Sequence, residues 1–145
     1  MVEISNQTKS RLNLSLVRKI TVKFLIKYRL RRQQVSLVFI GDQRMRQLNK
    51  CYRRQDKITD VLSFREKDSS WARPEFLGEI IIDWQQIKRQ ARRLKHSQQE
   101  ELIYILVHGL LHLAGYDDRT AKGAKEMLRL GEKFINVKCK SQNVK

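Results

Sequence analysis

Two histidines four residues apart, His108 and His112, are the residues of this sequence best suited by type and spacing to do chemistry. Side chains at positions i and i+4 lie on one face of a helix, about 6 Å apart along its axis, so both imidazoles could bind one divalent ion. A catalytic zinc ion needs a third protein ligand and keeps its fourth position for water. Asp118 follows the helix-ending Gly115 closely and could fold back, which makes His108, His112 and Asp118 a candidate zinc site.

The same residues also admit a purely structural interpretation. An HxxxH pair alone is a weak motif, Asp117 or Asp118 could cap the next helix, and Gly115 could be only a helix stop. Metal binding is favoured because the histidines interrupt an otherwise apolar helix, where unpaired imidazoles would be costly. Gly109 costs about 1 kcal/mol inside a helix, and we interpret it as room for a substrate beside His108.

Gly109 also separates this motif from the common helical zinc-hydrolase motif HExxH. There a glutamate after the first histidine serves as general base. Here proton transfer would fall to metal-bound hydroxide, to another side chain or to the substrate. The missing glutamate argues against a peptidase, and the missing PCxxC motif argues against a nucleobase deaminase.

The charge balance indicates a polyanionic partner. Lys and Arg number 31 against 15 Asp and Glu, which gives a formal net charge of +16. Such a field attracts nucleic acid, because neutralising phosphates releases counterions. Charge alone does not separate RNA from DNA or acidic lipid, and some basic residues could form only a solvated face. Candidate RNA contacts outside the motif are Arg54, Lys57, Arg89, Arg92 and Arg93.

Strand and helix patterns alternate along the 145 residues. Apolar and β-branched segments predict strands at 2–6, 35–40, 61–64 and 77–82. Helical periodicity predicts helices at 13–28, 43–52, 83–94, 97–113 and 120–134. These elements indicate one α/β (α+β) domain, residues 1–137, with an approximately four-stranded mixed sheet and about five helices. A basic tail, 138–145, is expected to fray, and the strand order does not follow from the pattern.

Cysteine use and hydropathy bear on the compartment. Cys51 and Cys139 lie far apart without a CxxC spacing, so neither a disulfide framework nor a thiolate zinc site is indicated. The chain begins without an apolar signal core, and its longest uncharged run, 102–116, is shorter than the roughly 20 residues of a membrane span. We therefore expect a cytoplasmic protein with no membrane partner.

The segment from His108 to Asp118, HGLLHLAGYDD, closely resembles the signature HGxLHLxGYDH of the YbeY family of bacterial metal-dependent endoribonucleases. Only the final histidine differs, and Asp118 stands in its place. Two further segments are similar to that family: Leu48-Asn49 with Tyr52-Arg53, Asp56 and residues 59–64 (TDVLSF), and residues 77–80 (LGEI). The resemblance therefore spans essentially the whole domain.

This resemblance implies an α/β sandwich with one zinc ion per chain at the three signature positions, and no small-molecule cofactor. It implies single-stranded RNA as substrate, a role in 3′-end maturation of small-subunit (16S) ribosomal RNA, and ribosome quality control at the small ribosomal subunit. It also implies that Arg53 lies in the groove beside the metal. There a guanidinium would stabilise charge that develops on the phosphoryl oxygens.

Two departures from the family pattern affect this interpretation. Arg65 stands where the family usually has a proline, and Asp118 in place of histidine lowers the net charge of the metal site by one unit. A water bound there should then be less acidified than in a three-histidine site. The alternative is a non-catalytic RNA- or ribosome-binding protein with a structural or weakened metal site.

Overall fold

The computed structural model describes the chain over residues 1–70 and 72–143, and its side chains over 1–70 and 72–136. Within these ranges strands and α-helices interleave as the sequence predicts. They are β1 (Val2–Asn6), α1 (Leu14–Lys27), β2 (Gln34–Ile40), α2 (Asp42–Arg53), β3 (Val61–Arg65), β4 (Phe76–Asp83), α3 (Trp84–Leu94), α4 (Gln98–Leu113) and α5 (Ala121–Asn143).

The four strands form one mixed sheet in the order β1-β2-β4-β3. β1, β2 and β4 run parallel, whereas β3 pairs antiparallel with β4 and forms an edge. The predicted fold class is therefore confirmed. The most apolar strands, β2 and β4, occupy the centre because a central strand is covered on both faces and bonded on both sides.

Helix α4 is the centre of the larger layer and contacts α1, α3, α5, β3 and β4. It is apolar on nearly every side because neighbours surround it. Ser97 caps its first turn, since the Ser97 hydroxyl accepts a 3.0 Å hydrogen bond from the amide of Glu100. Helix α2 covers the opposite face of the sheet, where a small second core contains Ile40, Met45, Leu62 and Ile81.

The prediction for Gly109 is wrong. Gly109 is buried against the sheet, and a Cβ there would lie 3.1 Å from Ile80 Cγ2 and 3.3 Å from Ser63 Oγ. The missing side chain lets α4 approach β3 and β4; it does not make room for a substrate.

Two other predictions concern the C-terminal end of the chain. Helix α5 continues to Asn143, beyond the predicted end at 134, because its pattern carries no stop signal there. The predicted tail, 138–145, lies outside the residues whose side chains are described, and residues 144–145 lie outside the described backbone as well. The boundary at 137 therefore stays a prediction.

Across the described helices, none combines the length and apolarity needed to cross a bilayer.

Gly78 is the second point of close approach. Its φ of +156° lies in a region that residues with a side chain rarely adopt. A Cβ at this position would overlap the Phe64 carbonyl oxygen of the neighbouring strand and lie 2.7 Å from Leu113 Cδ2 of α4.

We expect Gly78→Ala to lower the free energy of unfolding by about 3 kcal/mol, because the new methyl group meets backbone and a packed leucine. Gly131→Ala on α5 is the matched control, since its Cβ would meet the nearest atoms at 3.9 and 4.0 Å. A helical Gly-to-Ala exchange with room to spare should raise stability by about 1 kcal/mol. Urea denaturation of both variants measures the difference, and equal stabilities would contradict the prediction.

Asp83 joins β4 to α3 as a buried N-cap. Its Oδ1 accepts from the amides of Gln85, at 3.1 Å, and Gln86, at 3.4 Å. Its Oδ2 is buried and has no partner among the described residues. Burial, followed by the neighbouring Asp42 carboxylate, raises the pKa of Asp83 from 3.8 to about 7.

The folded protein therefore binds this proton more readily than the unfolded chain does. We expect Asp83 to make stability fall as pH rises from about 4 to about 7, and to add no further change at higher pH. Asp83→Asn keeps a capping oxygen without a charge, so its stability relative to the wild type should increase across that window. Asp117→Asn is the control, because Arg119 lowers the pKa of this exposed carboxyl instead. Denaturation at pH 5, 6, 7 and 8 measures both, and parallel curves for the wild type and Asp83→Asn would contradict the assignment.

Candidate metal centre and active site

The two histidines project from the last turns of α4, and the turn that follows returns a carboxylate to them. Gly115, with φ +108°, ends the helix, and the Gly115 amide donates to the His112 carbonyl at 3.0 Å. Asp118 Oδ2 then lies 3.5 Å from His108 Nε2, and Asp118 Oδ1 lies 3.8 Å from His112 Nε2. The two Nε2 atoms are 3.2 Å apart.

These separations fit a metal ion. Ligand atoms 2.0–2.1 Å from a tetrahedral zinc ion lie roughly 3.3 Å from one another. The two imidazole nitrogens are 3.2 Å apart, and each has one of the two Asp118 oxygens at 3.5 or 3.8 Å. With one donor atom taken from each residue, all three atoms lie within 4.8 Å of one another. Among the described residues, this is the one group of three such side chains that could hold a metal. The predicted ligand set, His108, His112 and Asp118, is thus brought together in space.

The electrostatics of the cluster suit metal binding at neutral pH. Burial, and next the charge of His112, lowers the pKa of His108, while Asp118 and Asp60 act in the opposite sense. A lowered pKa keeps His108 neutral, which is the form that binds metal. All three side chains remain partly open to solvent, with exposed fractions of 33%, 26% and 45% for His108, His112 and Asp118.

Arg53 enters the same cleft from the other side of β3. It is the last residue of α2, and its Nη2 donates to the Ser63 carbonyl at 2.9 Å. Its guanidinium also stacks 5.1 Å from the centre of the Phe64 ring. A cavity of about 260 Å³ is lined by Arg53, Asp60 and Ser63 together with the three candidate ligands. The structure therefore places Arg53 beside the three candidate ligands, and its catalytic role stays a prediction.

The five other predicted RNA contacts lie outside the cavities that the candidate ligands line. Arg54 and Lys57 are exposed in the loop after α2, and Arg92 and Arg93 are exposed near the end of α3. Arg89 is engaged by the Asp42 carboxylate through two hydrogen bonds of 2.6 and 2.8 Å. Their roles in RNA binding stay predictions.

A family model described as Endoribonuclease YbeY matches residues 2–138, which includes every residue of this cleft. The chain belongs to the YbeY endoribonuclease family.

Individual YbeY proteins agree with this membership along most of their length. Endoribonuclease YbeY of Thermodesulfovibrio yellowstonii is 38% identical over 122 residues, which cover 81% of this chain and 72% of that protein. Endoribonuclease YbeY of a Nitratiruptor species is 38% identical over 136 residues, which cover 93% of this chain and 87% of that protein. The solution structure of a Thermotoga maritima protein superposes with a TM-score of 0.69 at 28% identity, over 93% of this chain and 87% of that one.

Membership in the YbeY family supports a nuclease function directed at RNA. The geometry adds a candidate metal centre and an arginine in one cleft. Sequence reasoning missed two further arginines beside the candidate ligands, Arg65 and Arg119. Alternation along β3 could have found the first, because residues 63 and 65 of a strand share a face.

Asp118 and its neighbour Asp117 provide a matched test of the ligand set. We expect Asp118→Ala to weaken zinc binding by more than about 100-fold, because loss of a ligand exceeds the effect of losing an outer-sphere partner. Asp117→Ala should retain zinc, since Asp117 bonds instead to Arg119 at 3.1 Å. Mass-spectrometric metal analysis and competition with a chelator measure both variants. Unchanged zinc content in Asp118→Ala would exclude it as a ligand.

Proposed function

We propose that this chain is a zinc-dependent endoribonuclease that hydrolyses phosphodiester bonds of single-stranded RNA, with one zinc ion held by His108, His112 and Asp118. The observation that carries the proposal is that Arg53 and all three candidate ligands line one cleft. Family membership supports RNA as the polymer that is cut. The net charge of +16 supports binding of its backbone.

His108, His112 and Asp118 would hold the zinc ion, which would supply Lewis acidity toward a phosphoryl oxygen. Arg53 contributes a preorganised guanidinium, since the Ser63 carbonyl and the Phe64 ring fix its orientation before substrate arrives. Its remaining N–H groups can donate to the phosphoryl oxygens as their negative charge grows in the transition state. Arg53 is therefore proposed as the catalytic arginine.

The site also favours a flexible strand as substrate. The cleft is a recess of about 260 Å³ lined by residues of α4 and of the edge strand β3. A single strand can bend a phosphate into such a recess, whereas a duplex holds its phosphates on a stiff A-form surface. The recess thus supports single-strand specificity.

The biological role proposed for this activity follows the YbeY resemblance: 3′-end maturation of 16S ribosomal RNA and ribosome quality control, at the small ribosomal subunit and in the cytoplasm. Loss of the gene's product should then cause RNA with an unprocessed 16S 3′ end to accumulate. Mapping of 3′ ends in cells that carry wild-type protein or the His112→Ala variant tests this role.

Arg53→Gln tests the catalytic proposal directly. We expect kcat for a fluorescent single-stranded RNA to fall about 100- to 1000-fold, because one preorganised donor to the developing charge is lost. Arg46→Gln is the control on the same helix, since Arg46 is exposed and paired with Asp56 at 2.8 Å. His112→Ala, with its zinc content measured, checks for contaminating nuclease.

Three results decide among the functional hypotheses. Zinc-loaded protein that cuts RNA, and loses this activity in Arg53→Gln and His112→Ala, supports the nuclease. Cleavage that persists in both variants would belong to a contaminant and contradict the proposal. Zinc-loaded protein that binds RNA without cutting it would instead favour the non-catalytic RNA- or ribosome-binding alternative.

A further inference from the structure

Arg65 is brought to the metal cleft by the alternation of β3. Leu62 and Phe64 pack on the α2 side of the sheet, so Ser63 and Arg65 face α4. Arg65 pairs with Gly78 in the β3–β4 ladder, at the end of the strand nearest the turn that follows α4. Its position is therefore fixed by backbone pairing as well as by packing.

The guanidinium of Arg65 lies against this turn. A Cβ on Gly115 would be 3.5 Å from Arg65 Nη2 and 3.8 Å from Arg65 Cζ. The side chain lines a cavity of about 380 Å³ together with Arg53, His112 and Asp118. Arg65 thus borders the same candidate metal centre as Arg53, from the Gly115 side.

Among the described residues, the Arg65 guanidinium has neither a hydrogen-bond acceptor nor a carboxylate partner. Its Nε is buried without a hydrogen-bond partner, and none of their carboxylates forms an ion pair with it. A guanidinium carries five N–H donors in a planar fork that matches phosphate oxygens. An anion that enters the cavity would meet the terminal N–H groups of this guanidinium, which have no other acceptor among the described residues.

The charges around this cavity indicate what Arg65 changes. Three arginines (Arg53, Arg65, Arg119) and three aspartates (Asp68, Asp117, Asp118) line it. Arg119 is 86% exposed and already paired with Asp117. Without Arg65 the two remaining arginines and the three aspartates would leave the lining with a net negative charge before a metal binds. Arg65 offsets the negative charge that Asp118 brings to the metal site.

We propose that Arg65 is a second phosphate-binding residue of this site, and that it holds the backbone phosphate next to the one cleaved at Arg53. The proposal rests on the proposed function, because it requires that the chain bind single-stranded RNA. Arg65 acts on binding of the strand, and Arg53 acts on the reacting phosphate.

The test is the salt dependence of RNA binding by the purified full-length protein. The probe is a fluorescein-labelled single strand of 2′-O-methyl RNA, whose intact length is verified after each anisotropy titration. A residue that neutralises one phosphate contributes about 0.7 to the slope of log K against log salt for a single strand. Arg65→Gln should therefore lower the slope by about 0.7 and weaken binding roughly 8-fold at 50 mM salt.

Lys23→Gln is the charge-matched control. Lys23 is exposed on α1, which packs against β1 at the far edge of the sheet from β3. The Lys23→Gln substitution removes the same unit of charge as Arg65→Gln but should leave the slope of log K against log salt unchanged. Steady-state cleavage adds a second readout: Arg65→Gln should raise KM about 8-fold with kcat nearly constant, because a uniform binding contact is lost. A purely structural role for Arg65 would not produce this combination.

The outcomes separate the two proposals. Equal slopes for Arg65→Gln, Lys23→Gln and the wild type would overturn the role of Arg65 and leave the nuclease proposal standing. Wild-type protein that binds no single-stranded RNA would overturn the proposed function, and this inference with it. If Arg65→Gln does not fold, Arg65→Met keeps the aliphatic stem and removes the guanidinium, and the same change in slope is required of it.

Discussion

The seating of α4 on the edge of the sheet is the constraint on which the rest of the structure depends. Gly109 has no side chain where Ile80 and Ser63 approach, and Gly78 has none where Leu113 and the β3 backbone approach. These two absences let one helix lie against β3 and β4 at close range. Because His108 and His112 flank Gly109 on that helix, the same contact fixes the distance from the imidazoles to Ser63 and hence to Arg53.

Strand β3 contributes side chains to both faces of the sheet beside the candidate ligands. One side of the strand completes the small core under α2, and the other side faces the cleft that the candidate ligands line. The Ser63 carbonyl orients Arg53 at the outer edge, while Arg65 reaches the turn after α4. An edge strand suits this task, since its outer backbone groups are free to orient a side chain instead of pairing with another strand.

The chemistry of the cleft is set by a balance of charge. A carboxylate at position 118 makes the candidate ligand set more negative than three imidazoles would, which would reduce the acidity that a bound metal confers on water. Arg53 and Arg65, which line the same cavity, contribute positive potential where a phosphodiester would approach. The cleft thus combines a donor set that can hold a divalent ion with guanidinium groups that can hold an anion.

The sequence by itself determined the type of each element and its bounds to within about one residue, except at the end of α5, because hydropathy period, the Ser97 cap and Gly115 act locally. It also indicated the ligand set, since an i, i+4 histidine pair and a nearby turn need only helix geometry. Motif similarity, rather than spacing, pointed to Arg53. The sequence-based interpretation of Gly109 as room for a substrate was wrong. The antiparallel edge position of β3, the contact of Gly109 with Ile80 and the place of Arg65 were decided only in the tertiary structure. Each depends on pairing between residues far apart in the chain, and no local preference encodes which strand becomes a neighbour or which side chain a glycine makes room for.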